Sequence, residues 1–129
     1  MRIPTTGPIL ALALALALAI ATAAHAHEPR PGPNGGLKVD AGKSWHAELV
    51  ANGTPDVVLF LYDHEDKPIP ATGFRANAIL VIDGKTQRFA LQPADGSKLT
   101  GTAPVPVPKG VKGAVQLTGP DGAGAQAKF

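Results

Sequence analysis

Short apolar runs separated by turn-forming residues repeat along the chain from Trp45 to Phe129. Runs of about five to eight residues rich in aliphatic and β-branched side chains alternate with Gly, Pro, Asn and Asp, which is typical of strands and turns. Outside the N-terminal apolar segment, no stretch of about ten residues has helical periodicity. The segments that we predict to be strands are Trp45–Ala51, Asp56–Asp63, Ala76–Ile82, Thr86–Leu91, KLTGT, GAVQLTG and AQAKF.

The turn residues between these runs predict how the strands are connected. NGTP joins the first two runs in a hairpin, and DGK joins the next two, with the Asp-Gly pair that favours a tight hairpin turn. APVPVPKG is expected to be an edge or connecting segment, because proline cannot donate a hydrogen bond to a central ladder. The chain is therefore predicted to be all-β, a single small antiparallel sandwich of immunoglobulin-like architecture, with a small Greek-key barrel as the alternative.

The N-terminal region, residues 1–26, is predicted to be a signal peptide. Arg2 precedes the apolar segment Ile9–Ala21, and small residues follow in the Ala-x-Ala spacing that signal peptidase reads. The apolar segment is shorter than the roughly 20 residues of a spanning helix. We expect export, cleavage between residues 23 and 27, and no membrane span afterwards.

Residues 27–36 are expected to form a flexible arm in front of the folded domain, which is assigned to residues 37–129. The stretch EPRPGPNGG contains three prolines and three glycines within its nine residues. Such a composition is incompatible with a helix and typical of an extended segment.

Composition excludes several classes of function. The formal net charge is +2 and the basic residues are scattered singly, so the basic stripe of a nucleic-acid-binding protein is missing. Cysteine is absent, which excludes disulfides, thiolate metal sites and cysteine nucleophiles. Neither Ser44 nor Ser97 lies in a nucleophile-elbow context, and the chain has no phosphate-loop spacing. We expect a binding protein and not an enzyme.

Four histidines are the main candidates for chemistry. His46 and Glu48 are two residues apart on a predicted strand, so both side chains should leave the same face. His64 lies within the acidic turn DHEDK. Imidazole suits Cu, Zn, Ni and Co, and carboxylates can complete the coordination. The alternative interpretation is a hydrogen-bonded surface pair and a charged loop tip.

The position of signal cleavage decides the chemistry of His25 and His27. If His27 becomes the first residue, its amine and Nδ1 can chelate Cu(II), and His46 or His64 can supply a third nitrogen. If His25 is first, its amine, two backbone amides and the His27 imidazole can bind Cu(II) or Ni(II) in a square plane. If Ala24 is first, His25 and His27 fall at positions two and four, and metal binding should be looser. The alternative is that both histidines lie on a disordered arm and bind metal only adventitiously.

The order of several motifs resembles a known group of exported proteins. Gly-Gly followed by WHAELV, then LYDHEDKP, LQPADGSKLTG and AVQLTGPDG, is similar to small periplasmic proteins of Gram-negative bacteria. It also resembles the extra N-terminal domain of some RND-type heavy-metal efflux adaptor subunits. The resemblance implies a periplasmic location, handling of copper, zinc, cobalt or nickel, and an efflux adaptor or other envelope protein as partner.

These observations lead to one functional expectation and one alternative. We expect an exported protein that binds a late transition metal, copper foremost, and supports heavy-metal homeostasis or efflux. The expected ligands are His25, His27, His46, Glu48 and His64. The alternative is a metal-free, immunoglobulin-like interaction module that docks on an efflux or envelope component.

Overall fold

The computed structural model describes residues 27–129, which fold entirely into antiparallel strands and turns. The predicted signal peptide and His25 lie outside the described residues. Between residues 27 and 129 no helix is long and apolar enough to cross a membrane. The strands are β1 (Arg30–Pro31), β2 (Leu37–Ala41), β3 (Trp45–Val50), β4 (Asp56–Asp63), β5 (Arg75–Ile82), β6 (Lys85–Pro93), β7 (Lys98–Thr102), β8 (Lys112–Thr118) and β9 (Gly124–Lys128).

The sheet closes on itself to form an eight-stranded barrel. Its neighbours run in the order β2-β3-β4-β7-β6-β5-β8-β9, β9 pairs again with β2, and β1 is added to the free edge of β2. Strands β5, β6 and β7 follow one another, and β8 returns to lie beside β5, which is a Greek-key connection.

Both seams of the barrel are narrow. β2 and β9 share the single pair Ala41↔Ala127, and β6 and β7 pair only through Gln92↔Thr100 and Pro93↔Leu99. The all-β antiparallel prediction is confirmed. The prediction of an immunoglobulin-like sandwich is corrected. The barrel has two four-stranded halves, but strand pairing joins them at both edges, so the sheet is continuous and matches the barrel alternative more closely.

The two predicted hairpins are confirmed. β3 pairs with β4 from Trp45↔Asp63 to Val50↔Val58, and β5 pairs with β6 through the turn at Asp83-Gly84. Asp83 and Gly84 both have positive φ, 51° and 76°, as a tight hairpin turn of this kind requires.

The barrel interior is filled by alternate residues of the strands. Leu59 and Leu61 on β4, Leu80 on β5 and Leu117 on β8 are almost completely buried. Side chains at period two therefore supply the core, while the intervening positions face outward. On β2 to β4 those outward positions carry the polar residues of the candidate site.

Residues 27–36 do not form a free arm. Arg30 and Pro31 pair with Lys38 and Leu37 of β2, and the Gly32 N–H donates to the Gly36 carbonyl at 2.9 Å. The arm thus turns back at Pro33–Gly35 and lies against the outer face of the barrel.

Gly101 permits the seam between β6 and β7 to close. A Cβ at Gly101 would clash with the Ala90 carbonyl oxygen and with the Leu91 side chain. Its φ is not in the left-handed region, so the need for glycine here is one of space and not of backbone conformation.

Replacing Gly101 with alanine should therefore destabilise the barrel by about 2 kcal/mol, since overpacking against backbone cannot be relieved by a rotamer change. The matched control is Gly124→Ala on β9, where the nearest atom to a new Cβ is 4.0 Å away. That change should stay within about 0.5 kcal/mol of wild type. Chemical denaturation of both variants measures the difference, and equal effects would contradict the steric interpretation.

Candidate metal centre

The outward face of β2 and β3 carries a row of polar side chains. The register pairs Asp40 with His46 and Lys38 with Glu48, so the two pairs lie next to each other on one face. Tyr62 of β4 lies opposite His46 and extends the row. The prediction that His46 and Glu48 share a face is confirmed, and that face points away from the core and under the arm.

His46 is buried between two carboxylates. Its Nδ1 lies 2.6 Å from Asp66 Oδ1, and its Nε2 lies 3.1 Å from Asp40 Oδ1. Only 7% of the His46 side chain is exposed. A neutral imidazole has one N–H and one lone pair, so only one of these contacts can be its hydrogen bond. The other nitrogen needs a proton or a metal cation between itself and the carboxylate.

His27 completes a three-residue cluster above Asp40. Its Nδ1 lies 3.2 Å from Asp40 Oδ2, and its main-chain N–H donates to the same oxygen at 2.8 Å. The rings of His27 and His46 meet edge to face with centroids 5.9 Å apart. One ligand atom each from His27, Asp40 and His46 lies within 4.8 Å of the others, a spacing that can hold one metal ion.

Asp66 lies on the Nδ1 side of His46 and connects the cluster to two positively charged side chains, those of Arg30 and Lys38. It accepts hydrogen bonds from Arg30 at 2.8 and 3.0 Å and forms an ion pair with Lys38 Nζ at 3.1 Å. Desolvation raises the pKa of Asp66, but the hydrogen bonds from His46, Lys38 and Arg30 outweigh it and hold the pKa well below its usual range. Asp66 is therefore a carboxylate that fixes the His46 ring from its Nδ1 side.

Glu48 has a different function in the structure. It is completely buried, and its two oxygens accept four hydrogen bonds of 2.9 Å, from the Asn34 N–H, the Asn34 side-chain amide, the Gly36 N–H and the Tyr62 hydroxyl. Burial raises its pKa, but these donors outweigh that effect, so the pKa lies below the ordinary value of 4.5. These four hydrogen bonds occupy the Glu48 oxygens, which are not among the converging ligand atoms of His27, Asp40 and His46. Glu48 as a metal ligand stays a prediction.

Tyr62 reinforces the Glu48 carboxylate. Burial and the adjacent Glu48 charge raise the pKa of Tyr62 to about 12, so its hydroxyl remains a donor at any physiological pH. Lys38 Nζ lies 5.0 Å from the centre of the Tyr62 ring, a cation–π contact. The Glu48 and Asp66 networks are thus adjacent, with Lys38 in contact with both.

The small residues of the arm fit this carboxylate. A Cβ at Gly32 would clash with the Glu48 carboxyl group, and a Cβ at Gly36 would clash with the Leu49 carbonyl. The GPNGG motif therefore folds over Glu48, and the main-chain N–H groups of Asn34 and Gly36 donate to its carboxylate. These contacts fix the C-terminal half of the arm, from which β1 leads back to His27.

His64 is not brought into the cluster. β4 ends at Asp63, and His64 lies on the following turn with 68% of its side chain exposed, 3.8 Å from Glu65. It lines the same open surface depression as His27, Asp40 and His46 without belonging to the group of converging ligand atoms.

Two residues of the site were not predicted as functional. Asp40 belongs to β2, a strand that is not among those predicted from the sequence. The polar positions Lys38 and Asp40 alternating with Leu37, Val39 and Ala41 are the signal that identifies it. Asp66 lies in the acidic turn DHEDK with a positive φ of 64°, and the sequence pattern does not reveal its contact with His46 on β3.

Comparison of the chain with models of protein families, with curated proteins and with solved structures found no match. The resemblance to efflux adaptor domains stays a prediction.

Replacing Glu48 with glutamine should destabilise the fold by about 2 kcal/mol at neutral pH, because the new amide group would face buried donors. Glu48 binds a proton more weakly in the folded than in the unfolded state. Its contribution is therefore complete above about pH 4.5 and is lost as the pH falls through the lower folded pKa.

Urea denaturation between pH 3 and 7 measures this effect, which is expected to give Glu48→Gln a shallower acid-side loss of stability than wild type. The exposed Glu28→Gln is the control for the change of charge and should match wild type at neutral pH. An acid profile for Glu48→Gln as steep as that of wild type would show that Glu48 contributes nothing to it.

Proposed function

We propose that the protein is an exported, periplasmic binding protein for a late transition metal, with Cu(II) as its principal ion. The observation that carries the proposal is the convergence of ligand atoms from His27, Asp40 and His46 within 4.8 Å. Two imidazoles and one carboxylate form a nitrogen-rich set that suits Cu(II), and Zn, Ni and Co can use the same donors.

The surroundings of His46 support metal binding at its Nε2 atom. A hydrogen bond from Nδ1–H to Asp66 leaves the Nε2 lone pair facing Asp40 Oδ1, which lies 3.1 Å away. Metal-binding histidines regularly donate their second nitrogen to a carboxylate, which fixes the tautomer and the ring. In this tautomer a cation removes the unfavourable contact between the Nε2 lone pair and the Asp40 carboxylate.

The main-chain nitrogen of His27 strengthens the preference for copper. It lies 2.8 Å from Asp40 Oδ2, on the same side as His27 Nδ1. Processing after Ala26 converts this nitrogen into a free amine, which together with Nδ1 forms a chelate on Cu(II). His46 then supplies the third nitrogen, and Asp40 supplies an oxygen.

A role in heavy-metal homeostasis or efflux follows from the exported location and from the open site. His27 is 70% exposed and the ligands border a surface depression, so an ion can be taken up and released without unfolding. An RND adaptor or another envelope component is the proposed recipient. Capture depends on neutral imidazoles, so affinity should fall below about pH 6.

Removing single ligands from the exported, untagged protein tests the site. His46→Ala and His27→Ala should each weaken Cu(II) binding by at least about tenfold, measured by competition with a chelator. His64→Ala is the matched control, because His64 borders the same depression outside the cluster, and its effect should be less than about twofold. Intact mass of the same samples gives the first residue and the number of bound ions.

Two results would contradict the proposal. One is wild-type protein that retains no Cu, Zn, Ni or Co at micromolar concentration, which would favour the metal-free interaction module. The other is a loss in His64→Ala equal to that in His46→Ala, which would indicate adventitious binding by exposed imidazoles.

Replacing Asp66 with asparagine should weaken Cu(II) binding by about ten- to a hundredfold, because loss of this type of supporting carboxylate has that effect at metal sites. Asparagine tolerates the positive φ at this position, so the turn should be retained. Glu65→Gln makes the same change of charge on the neighbouring, exposed residue and should leave affinity near wild type. Circular dichroism verifies folding, and equal affinity of Asp66→Asn and wild type would exclude a supporting role for Asp66.

A further inference from the structure

A second concavity lies where the seam between β2 and β9 opens. The two strands pair only at Ala41↔Ala127, and β9 ends at Lys128 before it reaches the level of Leu37. The short β1 takes up the edge of β2 at that level instead. The gap between the β1–β2 side and the β8–β9 side is a cavity of about 470 Å³.

The walls of this cavity are apolar. Leu37 and Leu49 contribute side chains that face the barrel interior, and Val111 and Phe129 form the opposite wall. Phe129 is fixed by two main-chain hydrogen bonds with Gly113, of 2.8 and 3.3 Å. Mouths of β-barrels are common ligand sites, and this volume lies within the usual range for them of about 300–1,000 Å³.

The only charged side chains in the lining are two lysines. Lys109 is held at the rim by a turn in which the Val111 N–H donates to the Pro108 carbonyl at 3.2 Å, and Lys112 begins β8. Both are exposed, and neither forms an ion pair within residues 27–129. The lining contains no Asp or Glu side chain.

We propose that this cavity binds the acyl chain of a single-chain amphiphile with a carboxylate head, that is, a fatty acid. The chain would enter between Leu37, Leu49 and Phe129, where burial of each methylene group is favourable. The carboxylate would stay at the rim and interact with Lys109 and Lys112. An apolar cavity whose charged lining side chains are both lysines matches an anionic amphiphile better than a cationic one.

The site is distinct from the proposed metal centre. Its residues come from the other end of β2 and β3, and it shares no side chain with the cluster of His27, Asp40 and His46. Fatty-acid binding therefore does not rest on the metal-binding proposal.

Calorimetric titration of the full mature protein with sodium dodecanoate, below its micellar concentration, tests the inference. One dodecanoate should bind per chain. The double variant Lys109→Gln/Lys112→Gln should bind it about five- to tenfold more weakly. Lys85→Gln/Arg88→Gln removes the same charge from the β5–β6 hairpin and should bind like wild type.

Variants of the wall and of the metal cluster show whether dodecanoate binds inside this cavity. Ala51→Phe places a ring in the cavity and should abolish binding of dodecanoate. His46→Ala should bind dodecanoate like wild type even though its Cu(II) binding is weakened. Dodecyltrimethylammonium should bind more weakly than dodecanoate. No binding by wild type, undiminished binding by Ala51→Phe, or equal loss in both charge variants would overturn the proposal. A dimer that forms with rising protein concentration in sedimentation, covers this cavity and excludes dodecanoate would also overturn the proposal.

Discussion

The candidate site depends on a buried carboxylate, that of Glu48, which is covered by a segment with little intrinsic structure. An unpaired buried charge is strongly unfavourable, and four hydrogen bonds make it tolerable here. Two of the donors are main-chain N–H groups of the arm, from Asn34 and Gly36. The charge therefore requires the arm to lie in place, and the arm requires the charge, because Pro/Gly-rich chain has few other ways to offset its conformational entropy.

This mutual requirement explains how the arm contributes to a geometric site. Once Pro33–Gly36 lies over Glu48, the arm leads through β1 to His27, and Arg30 reaches Asp66 on the way. The exposed His27 thus meets the buried His46 over Asp40. The candidate site combines one buried and one exposed imidazole, of which the buried ring is fixed by its neighbours and the exposed ring is accessible to solvent.

Much of the fold could be predicted from the chain, and the reasons for the failures are physical. Hairpins β3–β4 and β5–β6 were predictable because their turns are local and their alternation is regular. Barrel closure was not, since it depends on Ala41 meeting Ala127 from opposite ends of the chain. His46 was predicted as a ligand from its residue type and its spacing to Glu48, and His27 from its position near the expected cleavage site. Asp40 required the β2–β3 register that pairs it with His46. The hydrogen bonds of Glu48 required the fold of the arm over β3, which sequence spacing does not reveal.

The arm also forms a wall of both concavities. Pro31, Gly35 and Gly36 border the apolar cavity, whereas His27 and Pro29 border the surface depression with the candidate metal site at the other end of β2. β1 and β9 pair with the same edge of β2, β1 at Leu37 and Lys38 and β9 at Ala41. The width of the seam between β2 and β9 therefore depends on where the arm is fixed. Because Glu48 fixes the arm between these two ends, displacement of the arm from that carboxylate would alter both sites together. The two proposed ligands, a metal ion and a fatty acid, are chemically unrelated. The arm residues that line both sites are nevertheless held in place by the same buried, hydrogen-bonded carboxylate of Glu48.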